Sequence, residues 1–358
     1  MSHAPVPNPL GGPLPSPALV VDLEACDRNI AHAAVHFAGG PVRLRPHFKS
    51  HKCTTLLRRQ LAAGSCSGVT CATAAEAEVL AGAGFADVLV ANEVADPAGL
   101  AALTRASART RVTACVDSAR HVELLAEAGF SGGVLVEIDV GQGRCGLPPG
   151  SDDLLTLARL VATTPGLAFR GLQGYEGHAV LLPDRRDRGA QVDAAAGILR
   201  AERERLEAVG VPCEVVSGGG TGTFDLAGAA GALDEIQAGS YALMDASYGR
   251  LELPFEQALF CRTTVVHRSG TRIVLDAGLK ALSAEYGMPA AVEPGLEVRS
   301  LADEHATATA PEDCALAVGD TTLLIPGHID PTINLHAQLH AIGEDGSVER
   351  WAVDGRRS

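Results

Sequence analysis

Arg43-Leu44-Arg45-Pro46-His47-Phe48-Lys49-Ser50-His51-Lys52 reads as a short strand running into a lysine, with a helix-forming segment directly behind it. Working outward, further strand-like runs occupy 67–71, 87–91, 111–116, 133–139, 168–174, 213–217 and 235–241. Ala/Leu/Arg-rich stretches of helical character separate them at 54–63, 74–83, 97–107, 121–128, 152–163 and 190–209. Counting 42–47, these are eight strands alternating with helices, which predicts a closed (β/α)8 TIM barrel. One miscounted run would give an open, doubly wound sheet instead. In a barrel the active site lies at the carboxyl ends of the strands, so Lys49 would open onto it.

Upstream, 18–22 (ALVVD) predicts a strand, and Asp22 a cap for a helix reaching about Phe37. Its face is Leu23, Cys26, Ile30, Ala33 and Phe37, at steps of three and four. Downstream of Gly249 the character changes. Short Val/Leu/Thr-rich runs at 255–267, 271–276, 296–300, 307–309, 321–325, 339–342 and 348–353 predict an antiparallel β domain. The expected organisation is a barrel over 17–249 and a β domain over 250–358. Residues 1–16, rich in Pro and Gly, are expected to be loose or laid on the β domain.

At 358 residues with 46% hydrophobic and 20% charged side chains, the chain can bury a large core and does not read as disordered. The formal charge of -14 argues against a nucleic-acid backbone as partner, though it permits a local basic pocket. No 18-residue apolar window and no basic-then-apolar leader occur, so neither a membrane span nor a secretory signal is expected. The nine cysteines are scattered and never form CxxC, which disfavours a disulfide scaffold or zinc cluster and makes the cytoplasm the default.

Four places carry chemistry. Ser217-Gly218-Gly219-Gly220-Thr221-Gly222-Thr223 follows the seventh strand. Its glycines expose backbone N–H groups and its threonines add hydroxyls, which suits a phosphate better than a plain turn. It lacks the Gly-Lys-Ser/Thr ending of a P-loop. The eighth strand ends Gln237-Ala238-Gly239-Ser240-Tyr241 at the same face. A lysine facing a phosphate-bearing cofactor points to a Schiff base with pyridoxal phosphate, and Arg43, Arg45 and Lys52 are either cations acting on Lys49 or salt-bridged elsewhere. Arg144 lies in the Glu137–Gly146 loop, where Asp139 reads as a turn cap; Tyr175, Glu176 and His178 follow the sixth strand. In the β domain, His328 and Asp330 stand at i and i+2, so an extended segment would put both on one face, as a divalent-ion site or a simple hydrogen-bonded pair.

Together, RPHFKSHK (45–52), 137–146, 219–223, 237–241 and 326–332 resemble the D-threonine aldolase / D-serine dehydratase family, fold-type III pyridoxal-phosphate enzymes with an alanine-racemase-like barrel. The resemblance runs from about Pro17 to the end. It implies that Lys49 binds the cofactor covalently and that Arg144 approaches its phenolate oxygen. It further implies that Tyr175 lies near the pyridine ring, that Gly219–Thr223 and Tyr241 hold the phosphate region, and that the enzyme is a homodimer. His328 and Asp330 would be metal ligands beside the substrate's β-hydroxyl. The dehydratase members resemble His-x-Cys there and the aldolases His-x-Asp; this chain has the latter, which fits Mn²⁺ or Mg²⁺, with Zn²⁺ a further candidate.

One departure stands out: Tyr175-Glu176-Gly177-His178 replaces the Tyr-His-Gly of the aldolases, so His178 is only a candidate base for the β-hydroxyl. The resemblance implies cleavage of a D-β-hydroxy-α-amino acid, such as D-threonine or 3-hydroxy-D-aspartate, to glycine and an aldehyde. The alternative is a metal-dependent dehydratase yielding a 2-oxo acid and ammonia. A racemase would need a second base on the opposite face, and a cofactor carrier would have no use for the metal pair.

Overall fold

A computed structural model describes residues 14–356; the expectation for 1–13 lies outside them. Among these residues the chain forms β1 (Ala18–Asp22) and α1 (Leu23–His36). Then come β2 (Arg43–Leu44), α2 (Thr54–Ala62), β3 (Val69–Cys71), α3 (Ala74–Gly82), β4 (Asp87–Glu93), α4 (Pro97–Ser107), β5 (Arg111–Val116) and α5 (Ala119–Glu127). They continue as β6 (Gly132–Glu137), α6 (Asp153–Thr163), β7 (Leu167–Gly174), α7 (Arg185–Ala208), β8 (Val215–Gly218), α8 (Phe224–Ala229) and β9 (Glu235–Ile236). The helices start where the local chemistry requires: Thr73, Asp96 and Ser118 accept backbone N–H bonds at the starts of α3, α4 and α5. Asp22 accepts the N–H of Ala25 as the sequence predicts.

β2 to β9 form one parallel sheet in the order β2-β9-β8-β7-β6-β5-β4-β3. The barrel is incomplete. Between β2 and β3 there is no ladder, only isolated parallel bridges at Leu44↔Cys66 and His47↔Thr70. Pro46 has no N–H to donate, so the expected strand at 42–47 keeps only two regular residues. Lys49 consequently sits not at the strand end but in a turn of 3₁₀ helix, Phe48–Ser50.

The cations around Lys49 are employed elsewhere. Arg45 is buried and holds Glu235 (2.7 Å) and Asp87 (2.9 Å), both at the starts of their strands, at the barrel end opposite the active site. Removing Arg45 would leave the buried Glu235 without this partner and Asp87 with Arg111 alone, at a cost of about 3–5 kcal/mol. Arg43 lines the same mouth, and the Lys52 amine donates to Asn334 (2.9 Å).

The second unit adds β10 (Leu259–Ser269), β11 (Arg272–Leu275), β12 (Ala290–Ala291), β13 (Glu297–Leu301), β14 (Ala306–Thr309) and β15 (Thr321–Ile325). It ends with α9 (Ile329–Ile333), β16 (Gln338–Ile342) and β17 (Val348–Ala352). Its sheet runs β11-β14-β13-β12-β15-β10-β1-β16-β17, and β11 also pairs with β10, closing it into a barrel. All its pairings are antiparallel except β1 with β16. β1 therefore belongs here, not to the parallel barrel. Val20 packs with Phe260, Leu323 and Ile342 from the strands around it.

By packing, this unit gathers 14–32, Ser50–Leu56 and 240–356, and the parallel barrel holds Ala33–Lys49 and Leu57–Gly239. The units thus interleave along the chain where the sequence suggested one cut near residue 250. Among the described residues no helix is long and apolar enough to cross a membrane.

Candidate active site

In the barrel unit, Tyr175 follows β7 directly and joins two of the predicted sites. The Arg144 guanidinium lies 5.7 Å from its ring centroid, a cation–π distance. On its other edge the ring meets the glycine loop: a Cβ on Gly220 would stand 3.3 Å from Tyr175 Cε2. The loop needs its glycines. Gly219 has φ +74°, and a Cβ on Gly222 would lie 1.8 Å from the Val180 carbonyl oxygen. Thr223 has another task than the one expected. Its hydroxyl donates to Glu176 (2.6 Å) and accepts the N–H of Gly220 (3.2 Å), so its proton is committed within the protein. Burial pushes the Glu176 carboxyl up, and the Thr223 bond opposes this.

Gln237 is likewise turned inward: its amide donates to Gln173 (3.0 Å) and Ser217 (2.9 Å). Gln173 donates onward to Glu137 (2.7 Å), so the ends of four strands, β6 to β9, are stitched together beneath the rim. Burial and the neighbouring Glu93 carboxylate push Glu137 up to about 8. Arg144 stands 3.8 Å from it, beyond hydrogen-bond reach. His178 is exposed and rests on the loop after β6, where a Cβ on Gly141 would lie 3.1 Å from its Cε1. Asp139 caps that loop through the N–H groups of Gly141 (2.9 Å) and Gly143 (3.0 Å), as the turn-cap reading has it.

Sequence reading passed over one group here. Ligand atoms of Glu93, Asp117 and Cys145 all lie within 4.8 Å of one another, a cluster able to hold a metal ion. The signal was available: Glu93 and Asp117 end or directly follow apolar strands, at the active-site end of the barrel. Burial and Glu93 push the Cys145 thiol up to about 11, so without an ion it stays protonated.

In the β unit, His328 is extended (φ -141°, ψ 128°) and caps α9, whereas Asp330 lies in its first turn. The pair is thus assembled by a helix start rather than by strand alternation. His328 Nε2 and Asp330 Oδ1 are 3.8 Å apart, under the roughly 4.2 Å that two bonds of about 2.1 Å to one ion can bridge. Asp245, fully buried, accepts the N–H of Ile329, the residue between them (2.9 Å). Burial pushes the Asp245 carboxyl up, against the pull of the Tyr248 and Ile329 N–H bonds. Ser240 and Tyr241 also belong to this unit, and the buried Tyr241 ring packs on Phe255 at 5.4 Å. Gly239 is the last residue assigned to the parallel barrel.

Residues 21–247 match the family model of the alanine racemase N-terminal domain, and 258–342 match a serine dehydratase domain. The D-threonine aldolase of Arthrobacter sp. is 39% identical over 98% of this chain and 96% of its own. The crystal structure of D-threonine aldolase from Filomicrobium marinum superposes with a TM-score of 0.92, at 39% identity, covering 96% of this chain and 95% of that one. This chain belongs to the fold-type III pyridoxal-phosphate enzymes related to D-threonine aldolase. A third similar protein is the D-threo-3-hydroxyaspartate dehydratase from Delftia sp. HT23, with a TM-score of 0.86 and 27% identity over 95% of this chain and 97% of that one.

As a member of this family the chain depends on pyridoxal phosphate, and its barrel residues fit that group. A glycine loop that a Cβ would fill leaves room for a phosphate, though the N–H groups of Gly219 and Gly220 are turned to Glu176 and Thr223. The helix behind the loop, α8, has only six residues, so the fit rests on the space the glycines leave rather than on a helix N-terminus. A phenol ring flanks the loop, and a guanidinium lies beyond it for an anionic oxygen.

Proposed function

We propose that the enzyme is a carbon–carbon lyase that cleaves a D-β-hydroxy-α-amino acid, of the D-threonine or 3-hydroxy-D-aspartate type, to glycine and an aldehyde. The observation that carries this reading is the His328–Asp330 pair, an imidazole and a carboxylate, in a chain similar to D-threonine aldolases over nearly its whole length. Lys49 is the amine that holds the cofactor aldehyde, Gly219–Gly222 receive the phosphate, Arg144 faces the phenolate oxygen, and Tyr175 flanks the ring. His328 and Asp330 hold a divalent ion, Mn²⁺ or Mg²⁺ before Zn²⁺ because one ligand is a hard carboxylate. When bound, the cofactor supplies an electron sink and the ion lowers the pKa of the substrate hydroxyl.

Within the chain, the β-hydroxyl proton goes to His178. It is exposed, whereas Glu176 is buried and bound by Thr223. The Cα–Cβ bond then breaks, its electron pair staying with Cα while Cβ becomes the aldehyde carbon. Lys49 returns a proton to Cα, giving glycine.

A dehydratase is the second reading, favoured by the similarity to the Delftia enzyme. There Lys49 would take the α-proton and the β-hydroxyl would leave, ending in a 2-oxo acid and ammonia. Incubation with D-threonine, D-serine and 3-hydroxy-D-aspartate, with and without Mn²⁺, separates the two. Glycine with an aldehyde supports the lyase; ammonia with a 2-oxo acid replaces it. We assign the enzyme to the cytoplasm, where nine free cysteines stay reduced, and to a homodimer that sedimentation would test.

A further inference from the structure

The Ser283–Gly287 loop is built around His328 in a way that the assigned ligands do not explain. Glu285 Oε2 lies 2.9 Å from His328 Nδ1. A carboxylate only accepts, so this contact requires the imidazole proton on Nδ1. In the neutral ring Nε2 then carries the lone pair, and Nε2 is the nitrogen that faces Asp330 Oδ1. The opposite neutral tautomer would set the Nδ1 lone pair against Glu285 at 2.9 Å, a closer repulsion than Nε2 meets at Asp330, 3.8 Å away.

The placement of Glu285 is held by a circuit of hydrogen bonds. Its N–H donates to Ser283 Oγ (3.1 Å), and the Ser283 N–H donates to Thr332 Oγ1 (3.1 Å). Thr332 Oγ1 in turn donates to the carbonyl of His328 (2.8 Å). The loop and the ligand segment approach so closely that a Cβ on Gly327 would lie 2.2 Å from the Gly287 carbonyl oxygen. Tyr286 adopts φ +64°, a conformation that side chains other than glycine adopt only when their surroundings enforce it. In this conformation its ring lies on His328, with centroids 4.6 Å apart and a 40° tilt.

We propose that Glu285 is a positioning residue for metal binding: it fixes the tautomer of His328 so that Nε2 offers its lone pair to an ion shared with Asp330. Outer carboxylates of this kind typically contribute 10- to 100-fold to metal affinity. The inference rests on the assignment of the ion to His328 and Asp330, so its test contains a control for that assignment. The Glu285 side chain is 53% exposed, and its replacement leaves the core intact.

The experiment titrates Mn²⁺ into the holoenzyme by electron paramagnetic resonance and reads the His328 tautomer by ¹⁵N NMR in metal-free protein near pH 8. E285A is expected to weaken Mn²⁺ binding by about 10- to 100-fold and move the ring proton to Nε2. E285Q, whose amide oxygen still accepts, is expected to recover part of both. D330A is expected to lose Mn²⁺ binding. Wild-type affinity in E285A alongside loss in D330A overturns the role of Glu285 and leaves the ligand pair standing. Wild-type affinity in D330A removes the pair and this inference with it.

Discussion

Two corners of the molecule hold carboxylates within metal-binding distance of a softer group, and they are built on opposite plans. In the barrel, Glu93, Asp117 and Cys145 converge beside Glu137, with the Arg144 guanidinium 3.8 Å from Glu137 and His121 2.9 Å from Asp117. That crowding is relieved by protons: Glu137 is pushed up to about 8 and Cys145 up to about 11. In the β unit, a carboxylate on each side flanks one imidazole, Glu285 at Nδ1 and Asp330 toward Nε2. At the first corner Cys145 must lose its proton before its sulfur can bind an ion, whereas at the second the proposed role of Glu285 is to turn Nε2 of the neutral ring toward the ion. Proximity of ligand atoms is therefore a weaker criterion than the protonation that the surroundings impose.

The sharpest way to break this contrast is at the ligands, after one control. Lys49→Ala is expected to abolish both turnover and the visible absorbance of bound pyridoxal phosphate, measured by spectrophotometry. Asp330→Ala is expected to keep that absorbance and lower metal-dependent turnover by about a thousandfold, the several kcal/mol that Lewis-acid stabilisation supplies. Glu93→Gln combined with Cys145→Ala is expected to leave Mn²⁺ affinity within about twofold of wild type; a larger loss would move the ion to the barrel corner.

The smallest effect is in pH dependence. The folded-state pKa of Glu137 is raised from 4.5 to about 8, so between those values the folded protein holds a proton that the unfolded chain has released. Stability from this group is present below about pH 4.5 and is lost as pH rises toward 8, with a slope of at most about 1.4 kcal/mol per pH unit. Urea unfolding at pH 5.5 and 7.5 should show the slope in wild type and a flatter one in Glu137→Gln. Equal slopes would mean that Glu137 is ionised throughout.

Legibility differed by the range of the forces involved. The barrel was readable because each βα unit repeats a local pattern, and every one of its eight strands lies within a predicted run or overlaps one. β12, two alanines long, carries no pattern and was missed. β1 was found as a strand but assigned to the wrong unit, since ALVV buries equally well in either sheet. At the site, the glycine loop and the His-x-Asp pair were visible as motifs. Glu285 and Glu93 were not, because each acquires its role from a residue more than 40 positions away.

By itself the chain's order of residues determined the alternating units, the lysine behind the first strand, the glycine-rich turn and the pair at 328 and 330, because each depends on neighbours a few positions apart. Tertiary structure alone decided that Arg45 closes the far end of the barrel, that the Thr223 hydroxyl donates its hydrogen bond to Glu176, and that His328 is flanked by two carboxylates. Those outcomes depend on which distant groups share a buried volume, where an unpaired charge or donor is costly and the partner at hand determines the state.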